Sequence, residues 1–330
     1  MNKVLITGAA GFIGYYLSKE LIDNNYQVIG IDNLNDYYDV SLKKDRINNI
    51  SDNKNFIFIN EDINNIEQIK NIFIEYKPDI VIHLAAYGGV RYSLEKPDVY
   101  IKNNIDGFYN ILKIASDFKV KHFVFTSSSS IYGNINGIPS KEEDAKINQE
   151  SLYASTKMCD EVIAYSFSKL YDMPITAIRP FTVYGPLGRP DMAYFSFTNK
   201  LINKEEITLY HNGNLKRDYT YITDAINGIY SIIINKPNEL YNVYNIAGSK
   251  QYSTNELVSI LKEAMIENNL VNSDFDFDSL IKYSDMKKGE VNETYADISK
   301  INQAFNYVPK VDLKTGIKEF IKWYKKYYTK

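Results

Sequence analysis

The sequence has one cysteine, three histidines and five arginines among its 330 residues. A single cysteine, Cys159, excludes an internal disulfide and is typical of a reducing compartment. The histidines, His83, His122 and His211, are scattered along the chain, which argues against a zinc site, and we expect no bound metal. Because only 5 of the 38 basic residues are arginine, each arginine is a candidate for a site that needs a planar, two-pronged donor.

Long apolar runs and a large excess of one charge are missing as well. No stretch is long enough to span a bilayer, and three glycines interrupt the apolar start "MNKVLITGAAGFIG", which argues against a signal peptide. A formal net charge of −3, with both signs interspersed, gives no reason to expect nucleic acid or an anionic membrane as a partner. We therefore expect a soluble cytoplasmic protein with a sizeable core, in one large domain or two coupled ones.

The first half of the chain alternates apolar strand patterns with helical ones. Strands are predicted at Lys3–Thr7, Gln27–Asp32, Phe56–Asn60, Ile80–Ala86, His122–Ser128 and Ile175–Arg179. Apolar strands separated by helices indicate a parallel sheet that is buried on both faces. The sequence thus predicts an α/β doubly wound sheet, a Rossmann fold, over residues 1–180. A smaller mixed substrate-binding region is predicted over residues 181–330, interleaved with the first and closed by the amphipathic helix "LKTGIKEFIKWYKKYY".

A glycine-rich turn, "TGAAGFIG", lies between the first predicted strand and the first helix. Gly8, Gly11 and Gly14 permit a tight turn and a close approach of a pyrophosphate to the helix N-terminus. Asp32 ends the second strand, where a carboxylate can accept both hydroxyls of an adenosine ribose and would repel a 2′-phosphate. The combination predicts NAD rather than NADP as the cofactor. The alternative for Asp32 is a capping aspartate after a strand.

A tyrosine and a lysine stand one helical turn apart in "SLYASTK". Six Tyr-x-x-x-Lys matches occur where about three are expected by chance, so the spacing alone decides nothing. Tyr153 and Lys157 differ from the other matches because Ser128 stands at the end of the fifth predicted strand, at the edge that faces the crevice. An ammonium near a phenol favours the phenolate, which can then take a proton from a sugar hydroxyl. These three residues are the predicted catalytic group, and the alternative for Tyr153 is an ordinary tyrosine of an amphipathic helix.

Several longer segments are selective. They are "IDNLNDYYDVSLKKDRI", "GVRYSLEKP", "FTVYGPLGRPDMA", "KRDYTYI" and "GEVNETYADISK". With "TGAAGFIG" and "YASTK", they resemble the extended short-chain dehydrogenase/reductase family of nucleotide-sugar enzymes, over nearly the whole chain. Within that family the segments "NLNDYYDVSLK" and "GRPDM" are similar to those of UDP-glucuronate 4-epimerases.

The resemblance implies a role for each motif residue. The residues implied to bind NAD are Gly8, Gly11, Phe12, Ile13, Gly14, Asp32, Asn33, Asp62, Ile63, Leu84, Ala85, Ala86, Asn103, Tyr153, Lys157 and Phe181. The residues implied to bind the UDP-sugar are Arg91, Ser129, Ser130, Thr182, Arg189, Arg217 and Lys287. Among these, Ser129, Ser130, Thr182 and Arg189 would surround the sugar carboxylate, while Arg217, with Lys287 near it, would bind the diphosphate. A homodimer formed through two helices per subunit is also implied.

The implied reaction is C4 epimerisation of UDP-glucuronate to UDP-galacturonate through a transient 4-keto sugar, for a surface polysaccharide. Two positions depart from the pattern of such epimerases. Tyr87 stands where a glutamine is usual, and Pro180 where an aromatic residue is expected before Phe181. Both positions lie near the expected nicotinamide and sugar, so they bear on which sugar is bound rather than on the cofactor.

Other functions remain open from the sequence. A neutral sugar, as in UDP-glucose/galactose or UDP-N-acetylhexosamine 4-epimerases, is one alternative, and decarboxylation of UDP-glucuronate to UDP-xylose is another. A different class is a non-catalytic NAD(H)-binding regulator or scaffold. Such proteins commonly lose the reacting tyrosine or lysine, and both are present here.

Overall fold

The computed structural model describes residues 2–134, 139–235, 239–286 and 289–329. The strands are β1 (Lys3–Thr7), β2 (Gln27–Asp32), β3 (Phe56–Asn60), β4 (Ile80–His83), β5 (His122–Thr126), β6 (Ile175–Pro180), β7 (Thr182–Tyr184), β8 (Ile207–Tyr210), β9 (Lys216–Tyr221), β10 (Tyr241–Ile246), β11 (Gln251–Ser253) and β12 (Ile281–Ser284). The α-helices are α1 (Phe12–Asp23), α2 (Val40–Asn48), α3 (Ile66–Tyr76), α4 (Val90–Glu95), α5 (Pro97–Tyr100), α6 (Gly107–Asp117), α7 (Leu152–Leu170), α8 (Ala193–Ile202), α9 (Ile222–Ile234), α10 (Thr254–Glu267), α11 (Ser299–Phe305) and α12 (Leu313–Tyr328). A π-helix at Ile101–Asp106 joins α5 to α6.

Seven parallel strands form the main sheet of the described chain, in the order β10-β6-β5-β4-β1-β2-β3. The chain runs outward from β1 through β2 to β3 and then returns to β4 on the other side of β1. The carboxyl ends of β1 and β4 therefore open the crevice in which a doubly wound sheet binds its ligand. The predicted Rossmann fold is confirmed.

Successive side chains of the apolar strands pack on opposite faces of this sheet. In β1, Val4 and Ile6 belong to a core that includes residues of α1 and α9. Leu5 belongs to a second core, with residues of α3, α6 and α7. All three side chains are fully buried. The period of two in a strand thus explains why an uninterrupted apolar run was needed here, since both faces are covered by helices.

The predicted strand bounds hold in part. The fourth strand ends at His83 rather than Ala86, and the fifth ends at Thr126 rather than Ser128. In both cases the chain leaves the ladder early to form the loops of the crevice. The seventh strand, β10, was not predicted, because two asparagines interrupt the apolar residues of "YNVYNI", which lies at the sheet edge beside β6.

The second half of the chain builds a smaller region with its own core. A three-stranded sheet (β11-β9-β7) and a parallel pair (β12-β8) lie beside a cluster formed by α8, α10 and α12. The chain leaves the main sheet at Pro180 and enters β7 at Thr182, but it returns to the main sheet as β10. The predicted boundary at residue 180 is where the chain first passes from the main sheet into the smaller region. Two later elements, α9 and β10, nevertheless pack with the main sheet. None of the described helices is both long and apolar enough to cross a bilayer.

Candidate active site

A cleft of about 810 Å³ opens at the carboxyl ends of the central strands. The predicted residues that line it are Gly8, Gly11, Phe12, Ile13, Gly14, Asp32, Asn33, Ile63, Leu84, Ala85, Ala86, Arg91, Asn103, Ser128, Ser129, Ser130, Tyr153, Lys157, Phe181, Thr182, Arg189 and Arg217. Asp62 instead lines a smaller neighbouring cavity of about 320 Å³, together with Asn33 and Asn103. Lys287 lies outside the described residues. The structure thus brings nearly all predicted positions to one place, while their individual roles stay predictions.

The glycine turn at the end of β1 is closed by its own backbone. Gly8 has a φ of 74°, and a Cβ there would lie 2.8 Å from the amide nitrogen of Ala85. A Cβ at Gly14 would overlap the carbonyl oxygen of Gly8. Within the described chain no side chain caps the N-terminus of α1, so its free N–H groups and positive dipole end are available to an anion. This turn has the shape that a dinucleotide pyrophosphate needs.

The carboxylate of Asp32 lies beside the same turn. Its two oxygens accept the N–H groups of Ala10 (3.1 Å) and Leu34 (2.9 Å). Burial raises the pKa of this carboxyl, while those two bonds and the charges of Lys43 and Arg46 act against the rise. Each carboxylate oxygen keeps a further lone pair, so Asp32 can still accept ribose hydroxyls.

The predicted reacting pair lies on α7, which Ser151 begins by accepting the N–H of Ala154 with its hydroxyl. Tyr153 and Lys157 face the cleft, and the ring of Tyr100 packs edge-on against that of Tyr153, with centroids 6.2 Å apart. Ser128 also lines the cleft, and its hydroxyl oxygen accepts the N–H of Ser130 at 3.1 Å. The three side chains therefore line the same cleft, as a proton-transfer group requires.

Lys157 is surrounded by buried polar groups that the sequence did not reveal. Its ammonium nitrogen lies 3.1 Å from Oδ2 of Asp160, and both side chains are almost completely buried. Burial raises the pKa of Asp160 to about 7 even though Lys157 opposes the shift. Burial, with the positive charge of Lys157, lowers the pKa of His83 to about 3, so His83 is neutral. Oδ1 of Asp160 and Nε2 of His83 find no hydrogen-bond partner among the described residues.

Arg189, the predicted carboxylate ligand, already has an acidic partner. Its Nε and Nη2 donate to the two oxygens of Asp191 at 3.0 and 2.5 Å. The hydroxyl of Tyr37 donates to the carbonyl of Gly88 and contacts Asp191 at 3.2 Å. A Cβ at Gly88 would overlap Nη1 of Arg189, so only glycine leaves room for this guanidinium. The arginine is therefore held in a fixed place at the cleft wall.

The other two predicted substrate arginines converge on one carboxylate. Glu290 accepts from Arg91 at 2.9 Å and from Arg217 at 3.3 Å. Arg91 also lies over the ring of Tyr210, with 4.9 Å from its Cζ to the ring centroid. Two guanidinium groups around a single carboxylate leave one positive charge in excess, which suits a diphosphate.

The two departures noted in the sequence both lie in the cleft wall. Tyr87 is fixed by its backbone, because Asn104 accepts its N–H at 2.8 Å and donates to its carbonyl at 3.0 Å. Its ring packs among Tyr37, Tyr92 and Tyr100, with centroid separations of 5.7 to 6.3 Å. This replaces a polar position by part of an aromatic cluster next to Tyr153.

The sequence model of the GDP-mannose 4,6 dehydratase family matches residues 5–320. The chain belongs to this family. Its membership confirms the predicted resemblance to the extended short-chain dehydrogenases/reductases, of which the GDP-mannose 4,6 dehydratase family is a part. The match spans both the Rossmann sheet and the smaller region, and it includes all the residues that line the cleft.

Individual proteins and solved structures are also similar to this chain over nearly its whole length. A UDP-glucuronate 4-epimerase of Thermodesulfobacterium geofontis is 39% identical over 98% of this chain and 97% of its own length. The crystal structure of UDP-glucuronic acid 4-epimerase from Bacillus cereus, in complex with UDP-glucuronic acid and NAD, is similar with a TM-score of 0.88, 33% identity and coverage of 99% and 100% of the two chains. The UDP-glucose 4-epimerase of Thermotoga maritima has a TM-score of 0.85, 28% identity and coverage of 98% and 99%.

Several cleft residues were missed by the sequence reasoning. Asp191 and Glu290 stand inside quoted motifs, "FTVYGPLGRPDMA" and "GEVNETYADISK", but nothing in the sequence showed that they pair with arginines. Asp160 does not line the cleft, but it lies one helical turn after Lys157 and two turns after Tyr153, and its spacing of three from the lysine was a usable signal. Tyr37 and Lys43 lay in the quoted segment "IDNLNDYYDVSLKKDRI" without being singled out.

Proposed function

We propose that this chain binds NAD and inverts C4 of a UDP-sugar, with UDP-glucuronate as substrate and UDP-galacturonate as product. The observation that carries the proposal is a single cleft that joins a glycine cradle, a tyrosine–lysine pair and three arginines. NAD would lie with its pyrophosphate at the glycine turn and its adenosine ribose at Asp32. When bound, NAD accepts a hydride from carbon and returns it.

The protein side of the reaction is proton transfer at Tyr153. Its phenolic oxygen takes the proton of the sugar 4-hydroxyl as C4 is oxidised, and gives a proton back when C4 is reduced. The ammonium of Lys157 favours the phenolate, and the buried Asp160 contacts that ammonium at 3.1 Å. Ser128 bridges the sugar oxygen and the phenol. The 4-keto sugar turns between the two half-reactions and presents its opposite face.

Recognition of the carboxylate falls to Arg189, with Ser129, Ser130 and Thr182 on the same wall. A planar guanidinium binds a carboxylate with two parallel bonds. The 4-keto form of glucuronate is a β-keto acid and can lose CO₂. Holding its charge in a polar pocket opposes that loss, because decarboxylation releases neutral CO₂ and moves the negative charge away from the pocket to the sugar ring as an enolate. Arg91 and Arg217 would bind the diphosphate, which anchors the sugar while it turns.

Incubation with UDP-glucuronate and no added NAD, followed by NMR of the products, tests the proposal. UDP-galacturonate is the expected product, because hydride removed and returned leaves no net change in the cofactor and NAD stays bound between turnovers. UDP-xylose with CO₂ release would instead mark a decarboxylase. An absence of conversion of every UDP-sugar would favour a binding protein with no catalysis.

A neutral sugar is the second candidate, and one observation favours it. Asp191 already neutralises Arg189, so a substrate carboxylate has to share that arginine or displace the aspartate. A hydroxymethyl group would meet no such competition. Parallel assays with UDP-glucose, UDP-galactose and the N-acetylhexosamine forms separate the two candidates, since the neutral-sugar reading requires faster turnover of one of them than of UDP-glucuronate.

We further propose that the protein is a homodimer joined through α6 and α7. These helices contact each other, and Tyr109 meets Phe167 edge-to-face at 6.0 Å. Tyr109, Val162 and Tyr165 are large apolar side chains that stay exposed on this pair of helices. Light scattering on Val162→Glu should give a monomer. The control Ile234→Glu, on an exposed apolar position of α9, should leave a dimer, and a monomeric wild type would refute the proposal.

A further inference from the structure

Arg46, on α2, has a guanidinium that is completely buried without an acidic partner among its hydrogen bonds. All of its N–H groups are used. Nε and Nη2 donate to the carbonyl of Leu187 at 3.0 and 2.7 Å, and Nη2 also donates to the carbonyl of Gly188 at 3.0 Å. Nη1 donates to the carbonyl of Ala10 at 2.9 Å and to the hydroxyl of Tyr38 at 2.6 Å. Burying a charge costs free energy unless its hydrogen bonds are made. Because the five bonds of Arg46 go to carbonyl and hydroxyl oxygens, we infer that this arginine connects segments of the chain rather than forming an ion pair.

The backbone acceptors of Arg46 belong to two segments that are far apart in the chain. Ala10 lies inside the glycine turn between β1 and α1, and its own N–H donates to Asp32. Leu187 and Gly188 lie 141 and 142 residues beyond Arg46, immediately before Arg189. One side chain therefore joins the cofactor turn to the loop that carries the predicted carboxylate ligand.

The loop before Arg189 has a conformation that needs support. Leu187 has a φ of 56°, in the left-handed region that a leucine rarely adopts. Its carbonyl accepts two of the bonds from Arg46, and a Cβ at the next residue, Gly188, would overlap the hydroxyl of Tyr194. The guanidinium thus holds this backbone in place two residues before Arg189.

Arg46 can act as a fixed point because α2 is itself anchored. Asp39 begins the helix by accepting the N–H of Ser41 at 2.9 Å. The neighbour of Arg46, Asp45, accepts a hydrogen bond from the hydroxyl of Tyr327 on the C-terminal helix α12. The cation also lies over the ring of Tyr38, with 5.5 Å from its Cζ to the centroid. Movement of the Arg189 loop would therefore break bonds rather than carry Arg46 with it.

We propose that Arg46 is a positioning residue that holds Arg189 in register with the cofactor turn and so sets the preference for a sugar that bears a carboxylate. The part about the sugar rests on the proposed function, whereas the mechanical link does not. Because binding effects are reciprocal, occupation of the cofactor turn should also slow the opening of the Arg189 loop.

Arg46→Lys tests the link, since a lysine keeps the charge but has no fork that reaches both segments. Hydrogen–deuterium exchange of the purified protein measures the amides of residues 187–192 other than Pro190, which has none, and calorimetry measures the affinity for UDP-glucuronate, UDP-glucose and UDP. We expect exchange in 187–192 to speed up by about tenfold or more as the loop opens. The preference for UDP-glucuronate over UDP-glucose should fall by about fivefold, while the affinity for UDP changes by less than about twofold.

Arg179→Lys is the matched control, because Arg179 is also buried and well bonded. It donates to both carboxylate oxygens of Glu161 (2.9 and 2.7 Å) and to the hydroxyl of Tyr132. This variant should lose thermal stability but leave both the exchange of 187–192 and the sugar preference unchanged. If Arg46→Lys does not fold, Tyr38→Phe removes one acceptor and should raise the same exchange by about twofold.

Each remaining outcome is decisive. Unchanged exchange of 187–192 in the folded Arg46 variant would refute the link, and equal exchange in the two arginine variants would show general destabilisation instead. Faster exchange with an unaltered sugar preference would leave Arg46 a structural residue only. A wild type that does not prefer UDP-glucuronate would contradict the proposed substrate, and the exchange comparison would still decide whether Arg46 holds the loop.

Discussion

The cofactor side of the cleft is built from backbone, whereas the sugar side is built from charged side chains that meet across long stretches of chain. On the first side, the amide of Gly8 donates to the carbonyl of Ile31, and the amide of Ala10 to Asp32, all within one β-α-β unit. On the second, Glu290 reaches Arg91 over 199 residues, and Tyr37 reaches Asp191 over 154. A turn made of backbone tolerates few substitutions, while a cluster of ion pairs can be altered one charge at a time.

The largest expected effect comes from breaking the cofactor side. In Gly14→Ala the new methyl overlaps the carbonyl of Gly8, so the turn has to open. We expect NAD binding at least about 100-fold weaker, a loss of roughly 2.7 kcal/mol, and no turnover of any UDP-sugar. The ratio of absorbance at 260 and 280 nm of the purified protein reports the bound dinucleotide.

Gly228→Ala is the control for the glycine turn. Gly228 lies on α9, and a Cβ there would lie 3.1 Å from the ring of Tyr307, so packing is disturbed away from the cleft. This variant should lose stability and keep its NAD. Full NAD content in Gly14→Ala would show that the turn adapts and that the cofactor side is less rigid than its geometry indicates.

Arg189→Ala should remove only the recognition of the sugar carboxylate. We expect kcat/KM for UDP-glucuronate to fall about 30-fold, near 2 kcal/mol, with a pentose product released, because the carboxylate loses its fork. Turnover of UDP-glucose should be unchanged. Steady-state kinetics with both sugars and NMR of the products measure this, and equal losses for the two sugars would remove Arg189 from carboxylate recognition.

Glu290→Gln should act on all UDP-sugars alike. The change removes the negative charge between Arg91 and Arg217, so their attraction for a diphosphate grows. Calorimetry at low ionic strength should show about threefold tighter binding of UDP, UDP-glucose and UDP-glucuronate, and added salt should abolish the gain. Glu293→Gln carries the same charge change three residues away, without an arginine contact, and should have no effect. A sugar-dependent result would place Glu290 at the sugar rather than at the diphosphate.

Asp160→Asn should have the smallest effect, which is on stability. It tests the buried contact with Lys157, a residue predicted to serve both the cofactor and the sugar. The folded pKa of Asp160, about 7, lies above the ordinary value of 3.8, so the folded state retains a proton that the unfolded state releases. The stability due to this group is therefore present below pH 4 and lost as pH rises through 7. Relative to wild type, the melting temperature of the variant should rise by roughly 3 °C between pH 5 and pH 8. The exposed control Asp52→Asn should show no such trend, and a flat difference for Asp160 would mean that Lys157 keeps it ionised.

Much of the fold was predictable because the signals are local. Six of the seven strands of the main sheet follow from apolar runs, and the glycine spacing marks the turn after β1. The seventh, β10, is held by its pairing with β6 and by α9 and α11, which are contributions of the folded state. Its own residues alternate too weakly to identify it.

The sequence also indicated which residues would meet in the cleft, but not their partners. Tyr153, Lys157 and Ser128 follow from position on a helix and at a strand end, since parallel strands share one ligand-binding edge. The pairing of Arg189 with Asp191, two residues on, was open to inspection, but sequence spacing alone does not show that two side chains turn toward each other. That Asp62 faces a neighbouring cavity depends on the bond it accepts from Asn33, across two strands.

The sequence by itself indicated six strands of the main sheet and the glycine turn, and it predicted the tyrosine–lysine pair, because each of these depends on neighbours within a turn or a strand. Only the tertiary structure decided which carboxylates pair with Arg91, Arg189 and Arg217, and how deeply Asp160 lies beside Lys157. It also decided that Arg46 bonds to Ala10, 36 residues before it, and to Leu187, 141 residues after it. The physical reason is that charge and hydrogen-bond energies depend on distance in space and on burial, and neither is fixed until the two regions pack together.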